Sequence, residues 1–173
     1  MKTPRLNLRP LMPDDAPRIA ALAGDWSVAS MTGRIPFPYS LDAAQLWLRG
    51  LADGEMVFGI EHASELVGIC GYTLEGDGAA QIGYWIGKPY WGRGFATEAA
   101  RALINHGFTK GGIKRFNGRH FADNLASARV IKKLGFRPVS ADVGWCEARQ
   151  GEFPTVAYER RRPWTTAIRA LAS

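Results

Sequence analysis

The sequence predicts an α/β (α+β) fold in which helices flank a mixed, mostly antiparallel central sheet. Three observations carry that expectation. Strand-like and helix-like segments follow one another in the order β-α-α-β-β-β-α-β-α-β-β. The three central strands are separated only by short turns, which joins them as an antiparallel meander. The chain has 173 residues, 46% hydrophobic and 22% charged. That is the size and make-up of a single domain over 1–173, with a core that needs no metal or disulfide.

The elements follow in order. Arg5-Leu-Asn-Leu-Arg9 alternates with period two and reads as a strand. Pro13-Asp14-Asp15 opens a helix, with acids at its positive end, that runs through Ile19 and Leu22 to Gly24. Thr32–Ser40 is a loop, because Pro36 and Pro38 block regular pairing. Ser40 caps a second helix, Leu41 to Ala52. Glu55–Glu61, Glu65–Leu74 and Ala79–Ile86 are the meander. Gly92-Arg93-Gly94 opens a helix to about Phe108, with Ala96, Ala99, Ala100, Leu103, Ile104 and Gly107 at helical spacing. Ile113–Phe121 is a strand and Asn124–Leu134 a helix closed by Gly135. Phe136 onward and Phe153–Glu159 are the last strands, and the tail Arg160-Arg161-Arg162-Pro163-Trp164 and beyond suits a short helix.

Composition removes several classes. Cys70 and Cys146 form no CxxC pair, and His62, His106 and His120 show no ligand spacing, so no metal site is expected. Both cysteines read as small buried hydrophobes. No apolar run approaches the roughly 20 residues that span a bilayer. No apolar stretch follows the basic start, so the expected location is cytoplasmic, with no membrane partner. The net charge of +6 is uneven: −4 over residues 1–87, +9 over 88–137 and +1 over 138–173. A basic middle segment attracts a polyanion or a phosphorylated ligand, or simply forms solvated faces.

The central feature lies between a strand and a helix: Ile86-Gly-Lys-Pro-Tyr-Trp-Gly-Arg-Gly-Phe-Ala-Thr-Glu98. Helix N-termini carry unpaired N–H groups, and glycine lets backbone approach a phosphate. A plain tight turn is the alternative. A Walker A loop is excluded, since Arg93-Gly94 stands where Lys and Ser/Thr are required. A dinucleotide fingerprint is excluded too, since Thr97 replaces its third glycine.

This stretch resembles motif A of the GNAT superfamily of acetyl-CoA-dependent N-acetyltransferases, Q/R-x-x-G-x-G/A. Trp91-Gly-Arg-Gly-Phe-Ala96 fits it except at Trp91. Asp123-Asn-Leu-Ala-Ser-Ala-Arg-Val-Ile-Lys-Lys-Leu-Gly-Phe136 is similar to motif B. Gly83-Tyr-Trp-Ile86, Trp91, Asn124-x-x-Ser127 and the opening Arg5-Leu-Asn-Leu-Arg9-Pro10 resemble the Rim-type branch, which contains ribosomal-protein N-terminal acetyltransferases. The resemblance covers about residues 3–160.

What it implies can be stated by residue. The strand before motif A splays from its neighbour and takes the pantetheine arm at Tyr84, Trp85 and Ile86. The amides of Gly92, Arg93, Gly94, Phe95, Ala96 and Thr97 hold the pyrophosphate, with Arg93 adding charge, and Trp91 is a further cofactor-binding candidate. Arg129, Lys132 or Lys133 meets the 3′-phosphate or lies on a solvated face. The tyrosine that many members place seven residues after the motif B asparagine is absent, because Ile131 stands there. Ser127 is the catalytic candidate in its place: its hydroxyl donates to the departing sulfur, or bonds back to its own helix. Asn124 caps that helix and binds cofactor, or only caps it. Tyr84, His120 and Glu147 are candidates to relay the amine proton. Glu98 reads as a complement to the helix dipole.

The implied reaction is direct acetyl transfer from acetyl-CoA, as cosubstrate, to a primary amine, either a small molecule or a protein N-terminus. No metal and no nucleic acid take part, and the protein is a monomer or homodimer. Two other classes share features with this reading. A non-catalytic acyl-CoA sensor would keep motif A without turnover. A nucleic-acid module would use the basic segment, although Arg115-Phe-Asn-Gly-Arg-His-Phe121 does not match the RNA-recognition pattern.

Overall fold

The computed structural model describes residues 1–51 and 56–163. Its strands are β1 (Asn7–Arg9), β2 (Met56–His62), β3 (Glu65–Gly76), β4 (Ala79–Ile86), β5 (Arg115–Phe121), β6 (Arg137–Cys146) and β7 (Gly151–Arg161). The helices are α1 (Ala16–Ala23), α2 (Trp26–Ala29), α3 (Leu41–Arg49), α4 (Phe95–Thr109) and α5 (Leu125–Lys133). The strands form one sheet in the order β1-β2-β3-β4-β5-β7-β6. Every neighbouring pair is antiparallel except β4 and β5, which are parallel.

Helices cover both faces of the sheet. α1 and α3 bury Ala16, Ile19, Ala23 and Ala44 against Leu66 and Ile69. α4 and α5 bury Ala99, Leu103, Ile104 and Ile131 against Cys70, Tyr72, Ile82 and Phe116. β3 is thus apolar on both sides, as a central strand with two covered faces must be. Ser40 caps α3, its Oγ accepting from the Ala43 N–H at 3.1 Å, as predicted. The β1 edge is pinned by Arg9, whose guanidinium donates to both oxygens of Asp15 at 2.8 Å and to Glu61 at 2.7 Å. Arg9 holds the Asp15 carboxyl below the usual carboxylate range against the opposing effect of burial.

The feature that shapes the site is the β4–β5 pairing. It comprises Ala79↔Arg115, Ala80↔Phe116 and Gln81↔Asn117. Beyond those residues the two strands part. β4 stays bonded to β3 through Ile86, and β5 to β7 through Phe121. The backbone groups that face the gap are therefore left without a ladder partner. The expected mixed sheet and splayed pair are both present.

Some details differ from expectation. The predicted second helix ends at Arg49, not Ala52, and residue 52 lies outside the described residues. The four-residue α2 was not predicted. Asp25 caps it, accepting from the Ser27 N–H at 2.8 Å, but so short a helix shows no apolar period. The last two strands form a long hairpin in which β7 inserts between β5 and β6. The tail predicted as a short helix from Arg160 begins as strand, because Arg160 and Arg161 pair with β5 at the end of β7, and its part from residue 164 lies outside the described residues. Both cysteines are buried and free. Burial pushes the Cys70 thiol up to about 12, which leaves it unreactive.

Candidate active site

The glycine-rich turn follows directly from β4. A 3-10 turn, Lys88–Tyr90, leads to Trp91, whose indole N–H donates to the Ile86 carbonyl at 2.6 Å. Gly92 and Gly94 then take φ values of +75° and +79°. L-residues resist that region, so the two glycines make the turn possible. A Cβ at Gly92 would meet nothing within 4 Å, and one at Gly94 only the Arg5 Nη2 at 3.6 Å. The glycines therefore do not answer internal crowding; the space beside them is open. α4 begins immediately, and its first backbone bond runs from the Glu98 N–H to the Gly94 carbonyl at 3.1 Å. The amides of Phe95, Ala96 and Thr97 consequently have no carbonyl one turn back. Arg93 is exposed beside them, its guanidinium 5.7 Å from the Tyr90 ring centre. Open space, orphan amides and a cation fit a phosphate group.

Ser127, the predicted hydroxyl, lies on α5 next to β4. Asn124 caps α5, its Oδ1 accepting from the Ser127 N–H at 3.0 Å, while its Nδ2 donates to the Met31 carbonyl at 3.4 Å. Ser127 sits one turn into α5. Its Oγ lies 2.9 Å from the Tyr84 phenolic oxygen on β4. Burial pushes the Tyr84 phenol up to about 12, and the contact with Ser127 works in the opposite direction. Tyr84 is therefore an uncharged O–H at neutral pH. The contact bridges the two sides of the cleft, a strand and a helix.

The other predicted residues separate clearly. Trp85 packs against the α1/α3 side and Ile86 against the α4/α5 side. Successive backbone units of a strand face opposite edges, so Trp85, paired with Ile69, turns its N–H and C=O to β3, and Tyr84 and Ile86 turn theirs to the gap. His120 is occupied elsewhere: Nδ1 contacts the Phe121 carbonyl at 2.8 Å and Nε2 the Tyr158 hydroxyl at 3.2 Å. Glu147 accepts from the Trp145 indole at 2.7 Å. Of the three candidates for relaying a proton, Tyr84 is the one bonded to Ser127. Arg129 and Lys132 rim a cleft of about 560 Å³ with Arg137, floored by Phe136 and Tyr158. That cleft includes neither Tyr84, Ser127 nor the glycine turn.

Glu98 does more than complement a dipole. Its carboxylate accepts from Thr3 Oγ1 at 2.7 Å and from the Arg5 Nε at 2.8 Å, and lies 2.6 Å from the Arg5 Nη2. Burial opposes its charge, but these bonds outweigh burial and hold the carboxyl below its usual range. Sequence reasoning gave Thr3 and Arg5 no place at the site. No local pattern signals a contact between residues more than ninety positions apart.

Among the described residues no group of three or more His, Cys, Asp or Glu side chains is placed to hold a metal. No described helix is long and apolar enough to cross a membrane.

Residues 5–137 match the acetyltransferase (GNAT) domain family. The uncharacterised N-acetyltransferase p20 of Bacillus licheniformis is 31% identical over 144 residues, covering 78% of this chain and 80% of that one. The ribosomal-protein-serine acetyltransferase of Escherichia coli (strain K12) is 33% identical over 90 residues, 51% of this chain and 49% of that one. The fold is also similar to RimL, a ribosomal L7/L12 alpha-N-protein acetyltransferase solved in complex with coenzyme A. There the TM-score is 0.81 at 20% identity, covering 92% of this chain and 95% of that one. With its glycine turn, splayed strands and motif B helix inside or beside the matched span, the chain belongs to the GNAT family of acetyltransferases.

Proposed function

We propose that this acetyltransferase moves the acetyl group of acetyl-CoA directly to a primary amine, with residues 1–173 acting as one cytoplasmic domain. The observation that carries this reading is the end of β4–β5 pairing at Gln81↔Asn117. It opens a cleft with the glycine turn beside it and the Tyr84–Ser127 pair across it.

Acetyl-CoA supplies the activated thioester. The edge of β4 along Tyr84, Trp85 and Ile86 that faces the gap binds the pantetheine arm, and Asn124 lies beside it. Amides from Gly92 to Thr97 bind the pyrophosphate, Arg93 adds positive charge, and Trp91 braces the turn. Ser127 donates a hydrogen bond to the sulfur as negative charge builds there. Tyr84 donates to Ser127 Oγ, which leaves the serine proton free to point at the sulfur. A thiol titrates near 8.5, far below the Tyr84 phenol at about 12. The pair therefore stabilises a thiolate by hydrogen bonding and does not protonate it. Positioning supplies much of the remaining rate.

The acceptor is a protein N-terminus or a small amine. Support comes from the excess of acid over residues 1–87, which suits a cationic amine. The names of the relatives, which refer to ribosomal proteins, add to it. An α-amine titrates near 8 and a lysine near 10.4, so the former loses its proton more readily.

The test has two stages. Acetyl-CoA should raise the melting temperature without added metal, and NAD and ATP should shift it much less. A panel of amines and N-terminal peptides, read by mass spectrometry, should then reveal an acetylated product. Unchanged melting at millimolar acetyl-CoA overturns the reading. Binding without release of CoA to any amine leaves the sensor.

A further inference from the structure

The segment that precedes β1 reaches the glycine turn through Arg5, and the geometry points to Arg5 as a positioning residue that fixes the direction of the Gly94 amide. The inference rests on the proposed binding of pyrophosphate at that turn.

Arg5 makes a fork. Its Nε donates to Glu98 Oε2 at 2.8 Å, and its Nη2 lies 2.6 Å from the same oxygen. Its Nη1 donates to the Arg93 carbonyl at 2.9 Å. The guanidinium also lies over the Phe95 ring, 5.1 Å from its centre. One side chain thus ties the carbonyl of the turn to the first turn of α4.

The Arg93–Gly94 peptide is trans, so its C=O and N–H point in opposite directions. A carbonyl held toward Arg5 sends the Gly94 N–H to the other side of the peptide plane, away from the guanidinium. Glycine makes this lock necessary. A residue that accepts φ of either sign lets the peptide rotate, and rotation would aim the carbonyl, not the amide, at an anion. Arg5 forbids that rotation by holding the carbonyl, and Glu98 holds Arg5. Three nitrogens of one planar guanidinium are used at once, which a lysine ammonium on a flexible stem does not reproduce.

The test compares two probes. CoA carries the diphosphate; pantetheine is the same arm without it. Their affinities are measured by calorimetry and by NMR titration for the wild type, Arg5→Met and Arg5→Lys. Arg5→Met keeps the stem over Phe95 and removes every side-chain donor, while the backbone N–H of residue 5 still reaches Glu98 Oε1. We expect it to weaken CoA binding about 10-fold, as loss of an aligned donor would, and to leave pantetheine within about twofold. Arg5→Lys, which keeps the charge, should weaken CoA by a similar factor, and it carries the test alone if Arg5→Met does not fold. Unchanged CoA affinity in the variants overturns the positioning role and leaves the acetyltransferase reading intact. Equal losses for CoA and pantetheine overturn it as well, since they mean general damage to the site. Full affinity in Arg5→Lys with loss in Arg5→Met reduces Arg5 to a point charge and also overturns it. Failure of the wild type to bind CoA overturns both this inference and the reading beneath it.

Discussion

The hydroxyl oxygens of Tyr84 and Ser127 lie 2.9 Å apart across the opening between β4 and α5. Neither residue stands alone: a change at Ser127 leaves a half-buried phenol without its partner, and a change at Tyr84 frees the serine to rotate. Both should therefore act as one unit on the leaving sulfur.

Ser127→Ala should lower kcat by about 10- to 150-fold, the range expected from losing a hydrogen bond to a charged group worth roughly 1.5–3 kcal/mol. Acetyl-CoA affinity should change little, because the bond strengthens only as charge develops. Single-turnover acetyl transfer to a confirmed acceptor measures the chemical step. The double variant with Tyr84→Phe should cost no more than Ser127→Ala alone, since the phenol acts through the serine. An unchanged transfer rate in Ser127→Ala would make the serine a helix residue only.

The pH dependence follows from the Tyr84 phenol. Burial pushes it up to about 12, so the pair stays protonated throughout an ordinary assay range. The transfer rate should rise as the acceptor amine loses its proton and then level off, with no falling limb below about pH 10. Tyr84→Phe should lower the plateau and leave the midpoint in place. A falling limb in the wild type that disappears in Tyr84→Phe would show the phenol ionising in the working range.

Gly94→Val should weaken CoA binding by more than about 10-fold. A β-branched side chain resists the φ of +79° found there, at a cost of order 1–3 kcal/mol, and the turn must open to relieve it. Calorimetry on a variant shown to be folded gives the Kd. Wild-type affinity would mean that the turn only joins a strand to a helix.

Asp15→Asn should destabilise the fold by about 1–3 kcal/mol, because it leaves the half-buried Arg9 without the acceptor that meets two of its donors. The sign with pH is set by the lowered carboxyl. A group depressed in the folded state contributes stability above its unfolded value, near 3.9. That contribution is lost as pH falls through the folded value. Denaturation in urea should show wild type and variant converging in strong acid and separating fully by about pH 6. A constant gap across that range would remove the ion pair as its cause.

Local chemistry determined much of this protein by itself. Ser40 and Asn124 were legible as caps because a short side-chain acceptor satisfies amides two or three residues ahead. Gly92 and Gly94 were legible because left-handed backbone in a turn selects glycine. The meander followed from turns too short for any other connection, and the motifs around Trp91 and Asn124 carried the family. What stayed hidden depends on distance along the chain. The insertion of β7 between β5 and β6 and the contacts of Tyr84 with Ser127 and Arg5 with Glu98 join segments that share no local pattern. Periodicity reports which face of an element is apolar, not which element covers it. Only packing the two helical layers onto one twisted sheet decided which distant side chains meet, and so which hydroxyls and charges surround the cleft.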